Sequence, residues 1–121
     1  MRTVKREFGD FGEKIAKEYF IKKGYRFLAS NFSYNKYEID LIFEEEKTKT
    51  IVFIEVKTRK SDEIYLPEES ITYTKQDKIR KCASLYFKLN REYKGYNARF
   101  DSFAVVKNDR EFRTNHIENA F

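Results

Sequence analysis

Two short stretches carry side chains that could do chemistry at strand-like spacing. Residues 37–44, YEIDLIFE, set Asp40 among apolar neighbours, and residues 50–59, TIVFIEVKTR, carry Glu55 and Lys57. Side chains alternate between the faces of a strand. Glu38 and Asp40 are therefore expected on one face, with Ile39, Leu41 and Phe43 on the other. Glu55 and Lys57 share a face with Phe53 behind them, while Val52, Ile54 and Val56 take the opposite one. The acidic, lysine-rich EEKTK between the stretches reads as a hairpin turn of unspecified type. With Lys47-Thr48 as a two-residue turn, Asp40 lies opposite Glu55. That register puts two carboxylates and one ammonium at the same level of a sheet.

Adjacent carboxylates repel, and burying them unpaired is costly. A bound Mg²⁺ would remove both problems, because it prefers oxygen ligands and keeps waters, one of which can become a nucleophile. An Asp with Glu-x-Lys on the neighbouring strand suits phosphodiester hydrolysis, Lys57 orienting the water or steadying charge on the phosphate. The same residues also fit a cross-strand salt bridge of Lys57 with Asp40 or Glu55. Glu-x-Lys alone occurs in many strands.

The elements that must position these groups can be read from the pattern. Phe8, Phe11, Ile15, Tyr19 and Phe20 recur at three- and four-residue steps and predict a helix from about Thr3 to Lys23, stopped at Gly24. Residues 25–33 read as a first strand, 37–44 as a second and 50–59 as a third, rich in β-branched and aromatic residues. Residues 58–70, with the single Pro67, read as a long loop of the kind that is often functional. A second helix opens at Thr74 with Asp77 in a capping-box-like position. Ile79, Cys82, Ala83, Tyr86, Phe87 and Leu89 form its apolar stripe. Residues 98–106 read as a fourth strand and 111–118 as a weaker edge or terminal fifth. The expected order is αβββαββ, one domain over residues 1–121.

Composition narrows the function classes. Aromatics at 17% exclude a disordered chain, and no stretch approaches the roughly 20 apolar residues of a membrane span. The N-terminus lacks the apolar run of a signal peptide, so a soluble cytoplasmic protein is expected. One Cys excludes an internal disulfide or a Cys-based zinc site, and one His argues against a His-rich metal site or a Ser-His-Asp triad. Neither G-x-G-x-x-G nor G-x-x-x-x-G-K-[ST] occurs. Charge is informative when split: residues 1–36 sum to +5, residues 37–70 to −5 and residues 71–121 to +5. Basic flanks suggest a polyanion partner, and an acidic centre suits a divalent cation.

With these features in view, the sequence resembles the YraN-like bacterial family of predicted endonucleases. The match is carried by GDFGEKIAKEYFIKKGYRFLASNF (9–32), EIDLIF (38–43), VFIEVKTR (52–59), RFD (99–101) and HIENAF (116–121), with KQDKIRKCASLYF (75–87) at the second helix. That family resembles archaeal Holliday-junction resolvases and the PD-(D/E)XK nuclease superfamily. The resemblance implies a restriction-endonuclease-like α/β fold, with a three-layer αβββαβ core around a mixed central sheet. It also implies that Asp40 and Glu55 hold the metal, that Lys57 is catalytic, that Glu13 completes the site and that the Val56 carbonyl is a further ligand. Mg²⁺ is the implied cofactor, with Mn²⁺ expected to substitute. Two positions depart from the pattern: Tyr37 stands where the family usually has Gly, and Ile39 where the superfamily has Pro. Tyr37 puts the local backbone or substrate clearance in question.

The resulting expectation is a metal-dependent DNA endonuclease, selective for branched or junction structure, acting as a homodimer. The alternatives are a nucleic-acid-binding module whose nuclease site is vestigial or partner-dependent, and a nuclease for RNA or single-stranded ends. Lys75, Gln76 and Lys78 at the start of the second helix could meet phosphates, as could Arg59; an ordinary polar helix face fits the former equally. Asp101 beside Arg99 suggests an ion pair. His116 reads as structural and Cys82 as core.

Overall fold

A computed structural model describes residues 3–61 and 72–121. The chain runs through α1 (Val4–Lys22), β1 (Arg26–Tyr34), β2 (Tyr37–Glu45), β3 (Thr50–Lys60), α2 (Tyr73–Leu89), β4 (Asn97–Lys107) and β5 (Phe112–Ile117). This is the order that the hydrophobic periods predict. At the start of α1 the Thr3 hydroxyl accepts the Arg6 N–H. Its end is made by Gly24, whose φ of 95° is open to glycine, with its N–H on the Ile21 carbonyl. α2 starts one residue before the expected Thr74. Its cap is Thr72, whose hydroxyl accepts the Lys75 N–H at 3.2 Å, and Asp77 instead pairs with Lys81 one turn on. Leu89, expected on the apolar stripe, is the final residue of the helix and is 64% exposed. Residues 58–60 belong to β3 rather than to a loop. The rest of the expected 58–70 loop, from residue 62 on, lies outside the described residues.

The five strands lie in sequence order in one sheet. β1, β2 and β3 are antiparallel neighbours, β3 and β4 are parallel, and β5 returns antiparallel at the edge, as its weak pattern predicts. Among the described residues each face carries one α-helix. On one side Ala16 and Phe20 of α1 pack on Leu41, Phe43, Val52, Ile54, Phe103 and Val105. On the other, Ile79, Cys82, Ala83 and Tyr86 of α2 pack on Ile39, Ile42, Ile51, Phe53 and Phe100. The result is a three-layer α/β fold whose central strands are apolar on both faces. No helix among the described residues is long and apolar enough to cross a membrane.

Two contacts lock the α1 layer. Gly12 is buried against β3, and a Cβ built there would collide with the Thr58 hydroxyl. The absent side chain lets the helix sit close enough to bring the next residue, Glu13, to the sheet. The second contact is polar. Asp101 is fully buried in β4 and accepts from the Arg99 guanidinium at 2.8 Å, from Asn119 N–H at 3.2 Å, and lies 2.7 Å from His116 Nε2. His116 Nδ1 meets the Tyr19 hydroxyl of α1 at 3.2 Å. The Asp101 ion pair and the structural role of His116 are both as the sequence suggests.

Gly12→Ala is expected to cost about 1–3 kcal/mol by overpacking, and Thr58→Ala in the same chain should recover part of the loss in a thermal melt. Asp101→Ala leaves a largely buried Arg99 with only its longer contacts to Glu45 and Glu118, each at 3.9 Å, and should cost about 3 kcal/mol, measured by urea unfolding.

Candidate functional site

The candidate site is built where two strands part. β2 and β3 pair from Glu45↔Thr50 to Leu41↔Ile54. This is the predicted register, although the turn is a 3₁₀ turn over Glu46–Thr48 followed by left-handed Lys49, rather than two residues. The ladder then stops, while β3 stays paired with β4 as far as Lys60↔Lys107. Beyond Ile54 the groups of β3 that face β2 have lost their backbone partners. The Asp40 side chain takes one of them: the Val56 N–H donates to Asp40 Oδ2 at 2.8 Å. Asp40 and Glu55 are thus neighbours across an opening, not a ladder pair. In an extended strand a residue's N–H and C=O leave on the same side, so the Val56 carbonyl also faces this opening.

The alternation expected along β2 breaks at Asp40. Ile39 packs in the α2 layer, whereas Leu41 and Phe43 pack in the α1 layer. Opposite the break on β1 is Asn31, with φ at 54°. It is skipped between the pairs Ser30↔Leu41 and Phe32↔Ile39. Asparagine is one of the few residues that tolerates the left-handed region. Its side chain uses the irregularity, donating to Glu38 Oε1 at 2.9 Å and to Glu13 Oε1 at 3.3 Å. Glu13 of α1 is thereby tied to the sheet beside Asp40. Tyr37, the position of expected backbone difficulty, lies in the strand without a left-handed φ. Its hydroxyl donates to Glu55 Oε2 at 3.3 Å. Each of the two strand carboxylates therefore has one oxygen held by a donor.

Their electrostatics are strained in one direction. Burial, reinforced by the Glu55 charge and by Glu13 and Glu38, pushes Asp40 up to about 8 against the pull of the Val56 N–H. Burial also raises Glu55, opposed by the Tyr37 hydrogen bond and by the charges of Lys57 and Lys75. Glu13 is raised by burial, with the Asn31 bond acting against it. Among the described residues no three of His, Cys, Asp or Glu converge into a ready-made metal-holding group. The Asp40–Glu55 pair nonetheless fits a hard divalent cation: its donors are oxygens, burial raises both carboxyls with the Glu55 charge adding to it at Asp40, and one oxygen of each is fixed in place.

The structure brings together most of the predicted residues. Asp40, Glu55 and Glu13 act on one another, and Lys57 and Lys75 reach Glu55 electrostatically. Lys75 and Lys78 are exposed on the first turns of α2, Gln76 is half-buried beside them, and Arg59 is half-buried two residues beyond Lys57. Cys82 is buried in the α2 layer, as its pattern predicts. Asn31 and the Tyr37 hydroxyl are the site residues that sequence reasoning missed. An Asn in the middle of a strand pattern was the available signal, since Asn is depleted there.

In the folded chain Asp40 keeps its proton to about pH 8, whereas an unfolded aspartate releases it near 4. The folded state therefore holds more protons across that window, and stability must fall as pH rises through it. In EDTA the melting temperature is expected to drop between pH 5.5 and 8.5. Asp40→Asn, which keeps an acceptor for Val56, should flatten that drop and melt about 5 °C higher at pH 8.5; a variant that melts lower would show that the carboxylate is not strained.

Comparison with known proteins sets the chain among relatives. The Uncharacterised protein family UPF0102 matches residues 12–105. A UPF0102 protein of Caldanaerobacter subterraneus subsp. tengcongensis is 43% identical over 99% of this chain and 98% of its own length. One of Thermodesulfovibrio yellowstonii is 44% identical over 95% and 96%, and one of Syntrophomonas wolfei 40% identical over 98% and 100%. Family match and full-length identity agree with each other and with the resemblance read from the motifs. The chain belongs to the UPF0102, or YraN-like, family.

Proposed function

We propose that this chain is a metal-dependent endonuclease that hydrolyses phosphodiester bonds in DNA, with a preference for branched or junction structure. The observation that supports it best is the pair of half-tethered carboxylates, Asp40 and Glu55, at the parting of β2 and β3, with Lys57 two residues further along β3. The likeness of these motifs to the PD-(D/E)XK superfamily, with its restriction-endonuclease-like fold, supports the same reading.

Asp40, Glu55 and the Val56 carbonyl would hold Mg²⁺ or Mn²⁺, with Glu13 reaching in from α1. Such a cation, when bound, supplies Lewis acidity toward a phosphate and acidifies water. The chain's own groups do the rest. The Val56 N–H and the Tyr37 hydroxyl fix the orientation of the two carboxylates. Lys57 offers its ammonium to the attacked phosphate, where charge grows as water displaces the leaving oxygen in line. Lys75 and Lys78 on α2, with Gln76 and Arg59, would hold flanking phosphates. Such contacts grip the backbone and carry no sequence information, which fits structure-selective cleavage.

The second reading is a nucleic-acid-binding module whose nuclease site is completed by a partner. It is favoured by one observation, the absence of a converged three-ligand group among the described residues.

Cleavage of labelled four-way junction, flap, duplex and single-stranded DNA, and of RNA, tests both readings in Mg²⁺, Mn²⁺ and EDTA. Metal-dependent cutting is expected, with Asp40→Ala and Lys57→Ala each lowering the rate by about 100-fold or more. Folded protein that binds DNA tightly but cuts none of these substrates would favour the partner-dependent module.

A further inference from the structure

β3 and β4 are the parallel pair of the sheet, and their C-terminal ends meet at Lys60↔Lys107. Both lysines are in phase with residues that face α1: Lys60 with Thr58, which touches Gly12, and Lys107 with the buried Val105. Lys107 Nζ lies 4.5 Å from the centre of the Phe11 ring of α1, which confirms its direction. Two ammonium groups side by side on neighbouring strands repel. Among the described residues neither has a carboxylate partner.

A cavity of about 670 Å³ opens at this point, lined by Phe8, Lys60, Ser61, Lys107, Asn108 and Asp109. The backbone around it is tied down, with the Ser61 N–H on the Lys107 carbonyl at 2.9 Å. Asn108 Oδ1 already accepts the N–H groups of Arg110 and Glu111, so the side chain offers a ligand its amide donor. Asp109 is the single acidic residue among the described lining residues, against two lysines. Ammonium, hydroxyl and amide donors around one cavity suit a phosphate. The C-terminal ends of parallel strands are where α/β sheets commonly bind ligands.

We infer that the Lys60–Lys107 cavity is a phosphate subsite for the nucleic-acid strand that enters the Asp40–Glu55 site. The inference rests on the nuclease reading and gives it a second anchor. Lys60 is three residues past Lys57, about 10 Å along an extended strand. Lys57 and Lys60 leave β3 on opposite faces, so a nucleic acid held at both points would cross the C-terminal end of the sheet, with its contact at Lys60 outside the cleavage site.

The test uses the full chain carrying Asp40→Asn, so that bound DNA is not cut, with Lys60→Gln/Lys107→Gln and, as a rescue, Lys60→Arg/Lys107→Arg. Two probes are compared: a 20-base-pair duplex, titrated at several salt concentrations, and tripolyphosphate, followed by thermal shift. The Gln pair is expected to reduce the slope of log affinity against log salt by about 2 and to abolish the tripolyphosphate shift, with the Arg pair restoring both. If duplex binds but its salt slope is the same in the Gln pair, the subsite is overturned and the Asp40–Glu55 reading is untouched. If the pair governs tripolyphosphate binding while no variant binds duplex, the assignment to a nucleic-acid strand is overturned. Melting temperatures of the two double variants establish that the exposed substitutions leave the fold intact.

Discussion

The rest of the site depends on a hydrogen bond that replaces a piece of sheet. Where β2 and β3 stop pairing, the Val56 N–H would be left without a partner, and an orphaned buried donor is costly. Asp40 supplies the acceptor from its side chain. The exchange opens the sheet at one level without unravelling β3, because β4 still pairs with it along its whole length. An uninterrupted β2–β3 ladder would have closed the opening.

The opening has an electrostatic cost that the structure does not hide. Asp40, Glu55 and Glu13 all sit above the ordinary carboxylate range, chiefly because they are buried. The donors nearest to them, from Val56, Tyr37 and Asn31, hold the carboxylates in place without neutralising them. Away from this site the fold treats its buried acid differently. Asp101 has an arginine and a histidine within hydrogen-bond reach and is fully satisfied. One buried carboxylate is thus paired for stability, while burial keeps Asp40 and Glu55 raised on the same sheet even with Lys57 and Lys75 acting on Glu55. That contrast is the physical basis for reading the latter as functional.

Gly12, Asn31 and Tyr37 show how the layers are fitted around the site. Gly12 brings α1 down on Thr58, and Asn31 reaches up from the sheet to Glu13. Tyr37 packs against the α2 layer and extends its hydroxyl to Glu55 from that side. Each helix layer therefore contributes a support to carboxylates that originate on different elements. A left-handed Asn within a strand is strained, and its two bonds to carboxylates supply the compensation.

Much of this was legible in the residues themselves. Hydrophobic periods of about 3.6 and 2 determined the element order, and the spacing of the two strand patterns about their turn determined the β2–β3 register. Glu55 and Lys57 share a face because strand geometry leaves them no alternative. The Arg99–Asp101 pair followed from two residues on one strand. The break at Asp40 did not follow, because alternation is a local rule and the switch of Ile39 to the α2 layer arises only when both helices pack. The roles of Asn31 and Tyr37 were hidden for the same reason: their partners lie on elements whose approach no local pattern encodes. The cap of α2 at Thr72 rather than Thr74 was a choice between two similar residues, made by the hydrogen bond that the Lys75 N–H found. Local spacing determined which side chains could act together; the packing of two helices on a sheet that parts between β2 and β3 decided which of them meet.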